Sequence, residues 1–463
     1  RVEHEGLSFL TITLPSLGQE FERSLALEGI GPDLFRSFRK RLRIPAFLQG
    51  FFAQVFDSRT GALLHEPSIE AIEAIRQIAY SFKKISVPCS EARTEKAIAE
   101  FKQCEDDLRE ISLAQSDVDT FRRISRIIWG STFGSSDILD QGNPKHGPGA
   151  TCERISGNAK YVHQVWHERL EPYFPLLETA YSVNAVDSSE FERVSLVSEE
   201  RESPVRVITV PKTLKGPRII AIEPVCMQYT QQQLKSILVR GIESAWISRG
   251  HVNFNDQQIN RSLALTSSKT GKFATIDLSS ASDRVHNTLA GYMFEYNPLL
   301  WEAIQACRTK KAKLPSGEVI PLEKFASMGS ALCFPIESMF FFTICVKALL
   351  DMHALPVTSL FVKKMSELVY VYGDDIIVPV DAVDAVMDAL RRFGCKVNAA
   401  KSFWSGKFRE SCGMDAYDGY EVTPTYIRHL YPRNRRNPKA LISLVEASNH
   451  LYKRGYWRAS AHI

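Results

Sequence analysis

The sequence predicts an α+β protein in which an antiparallel sheet is backed on one side by helices. Three observations carry this. Residues 272–402 read in the order β, α, α, β, β, α, β. Residues 204–224, "PVRVITVPKTLKGPRIIAIEP", hold two β-branched runs joined by a basic turn. The first third of the chain carries apolar residues at helical spacing. No internal repeat is visible, and this mixture points to the α+β class.

Taken in order, residues 69–82 ("IEAIEAIRQIAYSF") predict a helix, and residues 92–128 continue helical with a break near "SLAQSDVD". The Gly, Pro, Ser and Asp of residues 129–153 then signal a long loop, a lobe boundary or a substrate-facing surface. Its "HGPGAT" could seat a phosphate on backbone N–H groups, but no strand precedes it and a plain turn is the simpler reading. After the basic hairpin comes a helix over 225–240. Residues 272–294 predict a strand ending at Asp277, a Ser-rich turn, and a helix capped by Ser282 or Asp283. A second helix follows "KFASMGS" (324–330), and "VYVYGDDIIVPV" (369–380) reads as strand, turn and strand. Residues 381–394 form an amphipathic helix stopped by Gly394, 396–402 return as a strand, and 438–457 again show helical spacing.

With 463 residues there is room for one large core or two to three lobes, at about 100 to 200 residues per domain. A composition of 44% hydrophobic and 24% charged residues excludes collagen-like, low-complexity and largely disordered chains. The net charge is only +4, but basic residues cluster at 35–43, 308–313 and 428–439. Interleaved with Phe, Tyr and Pro, such runs suit phosphate contact and base stacking; the alternative is a solvated face. Nine cysteines without close pairing or zinc spacing suggest reduced thiols in a cytoplasmic setting. The longest apolar runs, such as 340–350, fall short of the roughly 20 residues that span a bilayer, so neither a transmembrane helix nor a membrane partner is expected. The chain starts at Arg1, so the lack of a targeting signal says little.

The chemistry concentrates at Asp374 and Asp375, an adjacent pair between two apolar strands. A Gly-Asp hairpin turn accounts for one carboxylate. The other sits at the root of a buried strand, where two like charges repel unless a cation lies between them. Mg²⁺ suits such oxygen ligands, and Asp277, at the end of "FATID", is a third. Two ions about 3.5 to 4 Å apart would activate a 3′-hydroxyl and stabilise a leaving pyrophosphate. Lys212, Lys215 and Arg218 could neutralise a triphosphate, although basic turns are often merely solvated. Lys401 could protonate the pyrophosphate. Asp283 is a helix cap or an acceptor for a ribose 2′-hydroxyl. Ser327 and Gly329, in "SMGS", let the backbone approach a template or nucleotide.

The ordered set "DLSSASD", "SMGS", "YGDD", "NAAKS" and "FRESCG", preceded by "VPKTLKGPRIIAIEP" and "NDQQIN", resembles the RNA-dependent RNA polymerases of leviviruses, the replicase subunits of Q-beta-like single-stranded RNA bacteriophages. The likeness covers about residues 205–430; "FRESCG" and "VTPTYIRH" are its most specific parts, and residues 1–200 carry none. It implies a right-handed polymerase of fingers, palm and thumb. Residues 1–130 would be an N-terminal helical region and 131–271 the fingers, including hairpin 204–222. Residues 272–430 would be the palm, with a fingers-like insertion near 300–325, and 431–463 the start of a thumb near the product duplex or, alternatively, a terminal helix docked on the palm.

The resemblance further implies Asp277, Asp374 and Asp375 as ligands of two Mg²⁺, with Mn²⁺ able to substitute, Lys212, Lys215 and Arg218 along the nucleotide's path, and Lys401 as general acid. "FRESCG" would be a hairpin under the nascent 3′-end, and Glu337 stands where many viral polymerases carry a ribose-reading Asn. Substrates would be an RNA template and ribonucleoside triphosphates, used to replicate a phage genome in the cytoplasm of an infected bacterium. Host translation elongation factors and a ribosomal RNA-binding protein are the family's partners. Rival readings are a reverse transcriptase-like polymerase, disfavoured by Asp283 and Gly373, and a non-catalytic RNA-binding protein with a palm fold, disfavoured by the intact carboxylates.

Overall fold

Apolar spacing and local caps set the helices of the first third. The computed structural model describes residues 1–135, 137–181, 192–431, 436 and 438–463. Part of the third basic cluster, and of the stretch expected to begin a thumb, therefore lies outside the described residues. Helix α1 (Leu14–Ala26) is entered through Pro15, which the first turn tolerates. Helix α2 (Ile69–Tyr80) starts on Ser68, whose hydroxyl accepts from the Ala71 amide at 3.1 Å; such a cap is worth about 1 kcal/mol. Helices α3 (Glu91–Arg109) and α4 (Gln115–Trp129) follow, broken where the sequence predicts.

Beyond a stretch of loops and 3₁₀ turns that also holds a short helix (Leu176–Ala180) and a parallel pair of short strands (Val165–His167 and Ser195–Val197), strands β1 (Val205–Thr213) and β2 (Gly216–Ile222) form the antiparallel basic hairpin, with a register shift between Val210 and Thr213. Helices α5 (Val225–Ser244) and α6 (Gln258–Thr270) lead to β3 (Phe273–Ile276) and β4 (Leu278–Ser279). The next segment departs from expectation. A 3₁₀ turn (Ala281–Arg284) precedes α7 (Asn287–Gly291), and the capping side chain is His286, which accepts from the Thr288 amide, rather than Ser282 or Asp283. The Asp283 carboxylate is bound elsewhere, by Lys324 and Ser327.

After α8 (Pro298–Ala306), β5 (Lys311–Lys313) and β6 (Val319–Pro321) form a hairpin that extends the basic one into a four-stranded sheet of order β6-β5-β1-β2. Helix α9 (Cys333–Met352) runs through the core. It is long and apolar enough to cross a membrane, which the sequence reading did not foresee, but it is almost wholly buried inside the protein, as a core helix is. Helix α10 (Ser359–Ser366) precedes β7 (Tyr370–Tyr372) and β8 (Asp375–Pro379). Helix α11 (Val383–Arg392) is followed by Gly394 at φ 86°.

Strand β9 (Lys396–Val397) is shorter than the strand predicted over 396–402, and it pairs with β4. Beyond Val397 the chain turns, because the Asn398 amide donates to the Asp277 carbonyl and that of Lys401 to the Asn398 carbonyl. The "FRESCG" hairpin is β10 (Phe408–Ser411) and β11 (Met414–Tyr417), with β12 (Tyr420–Glu421) beside it.

Strands β7, β8 and β3 form a three-stranded antiparallel sheet in that order, and the protein is α+β as predicted. Helices α6 and α9 pack on the sheet and α11 packs on α9. The largest core joins the sheet, α9 and α11 to α4 and α5. A second core joins Leu17, Phe21, Ile72 and Ile75 to Phe403, Phe408, Tyr417 and Val422, tying the N-terminal helices to the β10–β12 sheet. At its centre the buried Arg76 pairs with Glu22 and Asp415, donates to the Val422 carbonyl at 3.0 Å and lies over the Phe408 ring. The last helices, α12 (Pro438–Lys453) and α13 (Trp457–His462), are joined by a turn whose Arg454 and Tyr456 both reach Glu73 on α2.

Candidate active site

Sheet register brings the predicted carboxylates together. Ile376 on β8 pairs with Ile276 on β3, so Asp375 and Asp277 stand at the same end of adjacent strands, with Asp374 in the β7–β8 turn. That turn needs Gly373. Its φ is 62°, and a Cβ there would run into the Phe334 ring of α9. The Gly373 amide donates to Ser338 Oγ at 3.2 Å, and Phe334 packs between Tyr372 and Phe254 with centroids 5.4 and 5.6 Å away. The turn is thus pinned to the central helix.

Asp277 and Asp375 have fixed neighbours. Asn398 Nδ2 donates to Asp277 Oδ2 at 2.7 Å, and the Asp277 amide donates to Ser402 Oγ at 3.1 Å. Asp375 accepts from the Cys412 amide at the tip of the β10–β11 hairpin, and Ser411 Oγ lies 3.4 Å from its Oδ1. Burial pushes the Asp277 carboxyl up to about 6, against the pull of Lys401 and with Asp374 adding to the rise. Burial, then the Asp374 charge, pushes Asp375 up to about 7. Among the described residues, no three carboxylate, histidine or cysteine side chains converge tightly enough to enclose an ion. Yet neighbouring carboxyls raised by burial and mutual repulsion are a donor set that a hard divalent cation fits.

Two predicted cations belong to this cluster. Lys401 lies 3.8 Å from Glu410 on β10, and the charges of Glu410, Asp277 and Asp375 hold its ammonium protonated, well above the usual lysine range. Lys212 at the hairpin end feels Asp277 and Asp374; desolvation, then Arg218 and Lys401, push it down. Arg218 is exposed on β2 beside it. Lys215 is not brought to the carboxylates: it crosses to α1, where its Nζ donates to Gln19 Oε1 at 3.0 Å.

Asp283 and Ser327 meet, Ser327 Oγ donating to Asp283 Oδ1 at 2.8 Å. Gly329, at φ 132°, faces the backbone of β2: a Cβ there would strike the Ala221 carbonyl, and the Ala221 amide donates to the Met328 carbonyl at 2.9 Å. Its freedom therefore serves the packing of its loop on β2. Glu337 is buried on α9, its carboxyl pushed well up by burial, then by Asp374 and Asp283. The "HGPGAT" loop is a turn filled by the buried Lys160, which donates to the carbonyls of Gly147 and Gly149 and so offers a cation's partners, the reverse of a phosphate nest.

Sequence reasoning missed Asn398 and Ser402 as holders of Asp277, and Lys324 and Glu105 behind Asp283. The first two lie within the quoted "NAAKS" and were legible; the last two act across distant segments that no local pattern marks.

Two curated relatives match more than half of the chain. The RNA-directed RNA polymerase subunit beta of Escherichia virus Qbeta is 36% identical over 263 residues, covering 56% of this chain and 40% of that protein. That of Enterobacteria phage SP is 30% identical over 336 residues, covering 72% of this chain and 53% of that protein. The chain thus spans about half the length of these curated relatives. Among solved structures, the RNA-dependent RNA polymerase of bacteriophage phi12 is similar at a TM-score of 0.42 and 12% identity, covering 89% of this chain and 66% of that one. The profile of the family described as RNA replicase, beta-chain, matches residues 174–455, a stretch that holds all three carboxylates and most of the chain, and on that match the chain belongs to the RNA replicase beta-chain family.

Proposed function

We propose that this chain performs template-directed RNA synthesis, joining ribonucleoside triphosphates on a single-stranded RNA phage genome in the cytoplasm of an infected bacterium. One observation carries the reading: Asp277 and Asp375, distant in sequence, end adjacent strands beside Asp374, with carboxyls pushed up by burial and by the Asp374 charge. Family membership and the polymerase names of the relatives support it, and divalent-metal dependence goes with that activity.

In this reading Asp277, Asp374 and Asp375 hold two Mg²⁺, which Mn²⁺ can replace. When bound, the ions supply charge stabilisation for the nucleophile and the leaving group. Asn398 and the Cys412 amide keep Asp277 and Asp375 oriented. Lys212 and Arg218 neutralise the triphosphate. The 3′-hydroxyl oxygen bonds to the α-phosphorus as its proton passes to solvent water, the bond from the α-phosphorus to the bridging β-phosphate oxygen breaks, and Lys401, kept charged by Glu410, donates its proton to the departing pyrophosphate. Asp283 accepts from the ribose 2′-hydroxyl, and the loop of Ser327 and Gly329 borders that pocket. Lys215 is proposed to anchor the hairpin to α1 rather than to touch substrate. Host elongation factors and a ribosomal RNA-binding protein are partners on the strength of the resemblance alone.

The test is RNA synthesis by the full replicase polypeptide with template, Mg²⁺ and ribonucleoside triphosphates, with and without host extract. Incorporation of ribonucleotides and little of deoxyribonucleotides is expected. Preferential incorporation of deoxyribonucleotides would favour a reverse transcriptase, and RNA binding without synthesis a non-catalytic protein.

A further inference from the structure

Behind Asp283 lies a charged relay that the reaction as described does not use. Lys324 is fully buried, its Nζ 3.0 Å from Asp283 Oδ1 and 3.0 Å from Glu105 Oε1 on α3, the latter an ion pair without hydrogen-bond alignment. Glu105 is buried too, and its Oε2 accepts from the Glu323 and Lys324 amides at 2.6 and 3.3 Å. The ammonium also sits 3.6 Å from the Phe101 ring centroid. Burial opposes the charge, but Asp283 and Glu105 outweigh it, so Lys324 stays protonated. Two residues along α3, Asp107 pairs at 2.7 Å with Arg284, the residue after Asp283. Helix α3 therefore holds the Asp283 turn directly through Asp107 and Arg284, and at one remove through Glu105 and Lys324.

The geometry at Asp283 is directional. Lys324 and Ser327 both bind Oδ1, and no bond to Oδ2 is made among the described residues. A carboxylate fixed by one oxygen presents the other as an acceptor at a set place. We propose that Lys324, braced by Glu105, is a positioning residue for ribose selection: it holds Asp283 so that Oδ2 meets the 2′-hydroxyl of an incoming ribonucleotide. This rests on the reading of the chain as an RNA polymerase and adds a residue to its specificity. A site built to hydrogen-bond a hydroxyl rejects the analogue lacking it, because its own buried polar group is left unpaired, and a swinging carboxylate loses that penalty.

The test is the ratio of kcat/KM for a ribonucleotide over its 2′-deoxy analogue, measured in the full replicase polypeptide with host extract. The double variant Lys324→Met with Glu105→Gln removes one charge of each sign, so that the buried Glu105 carboxylate is not stranded and Asp283 is left with the Ser327 hydroxyl alone. The ratio is expected to fall by about tenfold or more, mostly through ribonucleotide KM, and Lys324→Arg is expected to retain it. An unchanged ratio in the double variant, at whatever rate of synthesis, overturns the relay. If thermal melting shows that the double variant does not fold, Glu105→Gln alone decides: a lowered ratio supports the relay, an unchanged one overturns it. Absence of synthesis in the unsubstituted enzyme would instead strike the polymerase reading.

Discussion

Asp375 is held in a conflict that titration exposes. Its carboxyl, like that of Asp277, is raised in the folded chain, to about 7 and about 6, above an unfolded value near 3.8. The folded state therefore binds more protons than the unfolded state between about pH 4 and 7, and stability falls as pH rises through that window. Without divalent ions the protein should be more stable at pH 5 than at pH 7.5 through these groups. Asp375→Asn should remove part of the loss, stabilising the metal-free protein by about 1–3 kcal/mol at pH 7.5 and hardly at pH 4, as denaturant titration at the two pH values would measure. The paired carboxylates and Asp277 were legible in the sequence because charge at the ends of apolar strands is conspicuous. The fate of Lys215 was not: a flexible side chain on an exposed turn can swing to either side, and the choice is made by Gln19 on a helix far away in sequence.

Elements were legible where the chain's own chemistry decides them. The strand, turn and strand of 369–380, the basic hairpin, the "FRESCG" hairpin and the stop at Gly394 follow from alternation, turn residues and positive φ. They failed to be legible where a distant partner overrides local preference. Asp283 is a good helix cap by type, but Lys324 and Ser327 claim its carboxylate, and the chain makes a 3₁₀ turn before His286 caps α7. The predicted strand after Gly394 stops at Val397 because Asn398 is engaged with Asp277. The β7–β8 hairpin offers a test of its own. Gly373→Ala forces a side chain into the Phe334 ring at an unfavourable φ, which should cost about 1–3 kcal/mol in a melt and displace Asp374. Synthesis should fall far more than that loss of stability explains, while RNA binding stays.

At the scale of the molecule, the N-terminal segment that sequence reasoning could describe only as helical proves to be the frame around the site. Helices α1 and α2 share a core with the β10–β12 sheet that touches Asp375, α3 braces the Asp283 turn, and α4 packs on the central helix α9. The docking of α12 and α13 on α2, through Arg454, Tyr456 and Glu73, ties the end of the chain to the same frame. Such long-range assembly leaves no trace in local spacing, whereas the antiparallel sheet at its centre does. The central claim is that carboxylates at one end of that sheet perform phosphoryl transfer, and Asp374→Asn in the full replicase polypeptide tests it most directly, with Mg²⁺-dependent RNA synthesis and RNA-binding affinity measured on the same preparation. The account predicts that synthesis disappears and RNA binding is unchanged; synthesis at close to the unsubstituted rate would contradict it.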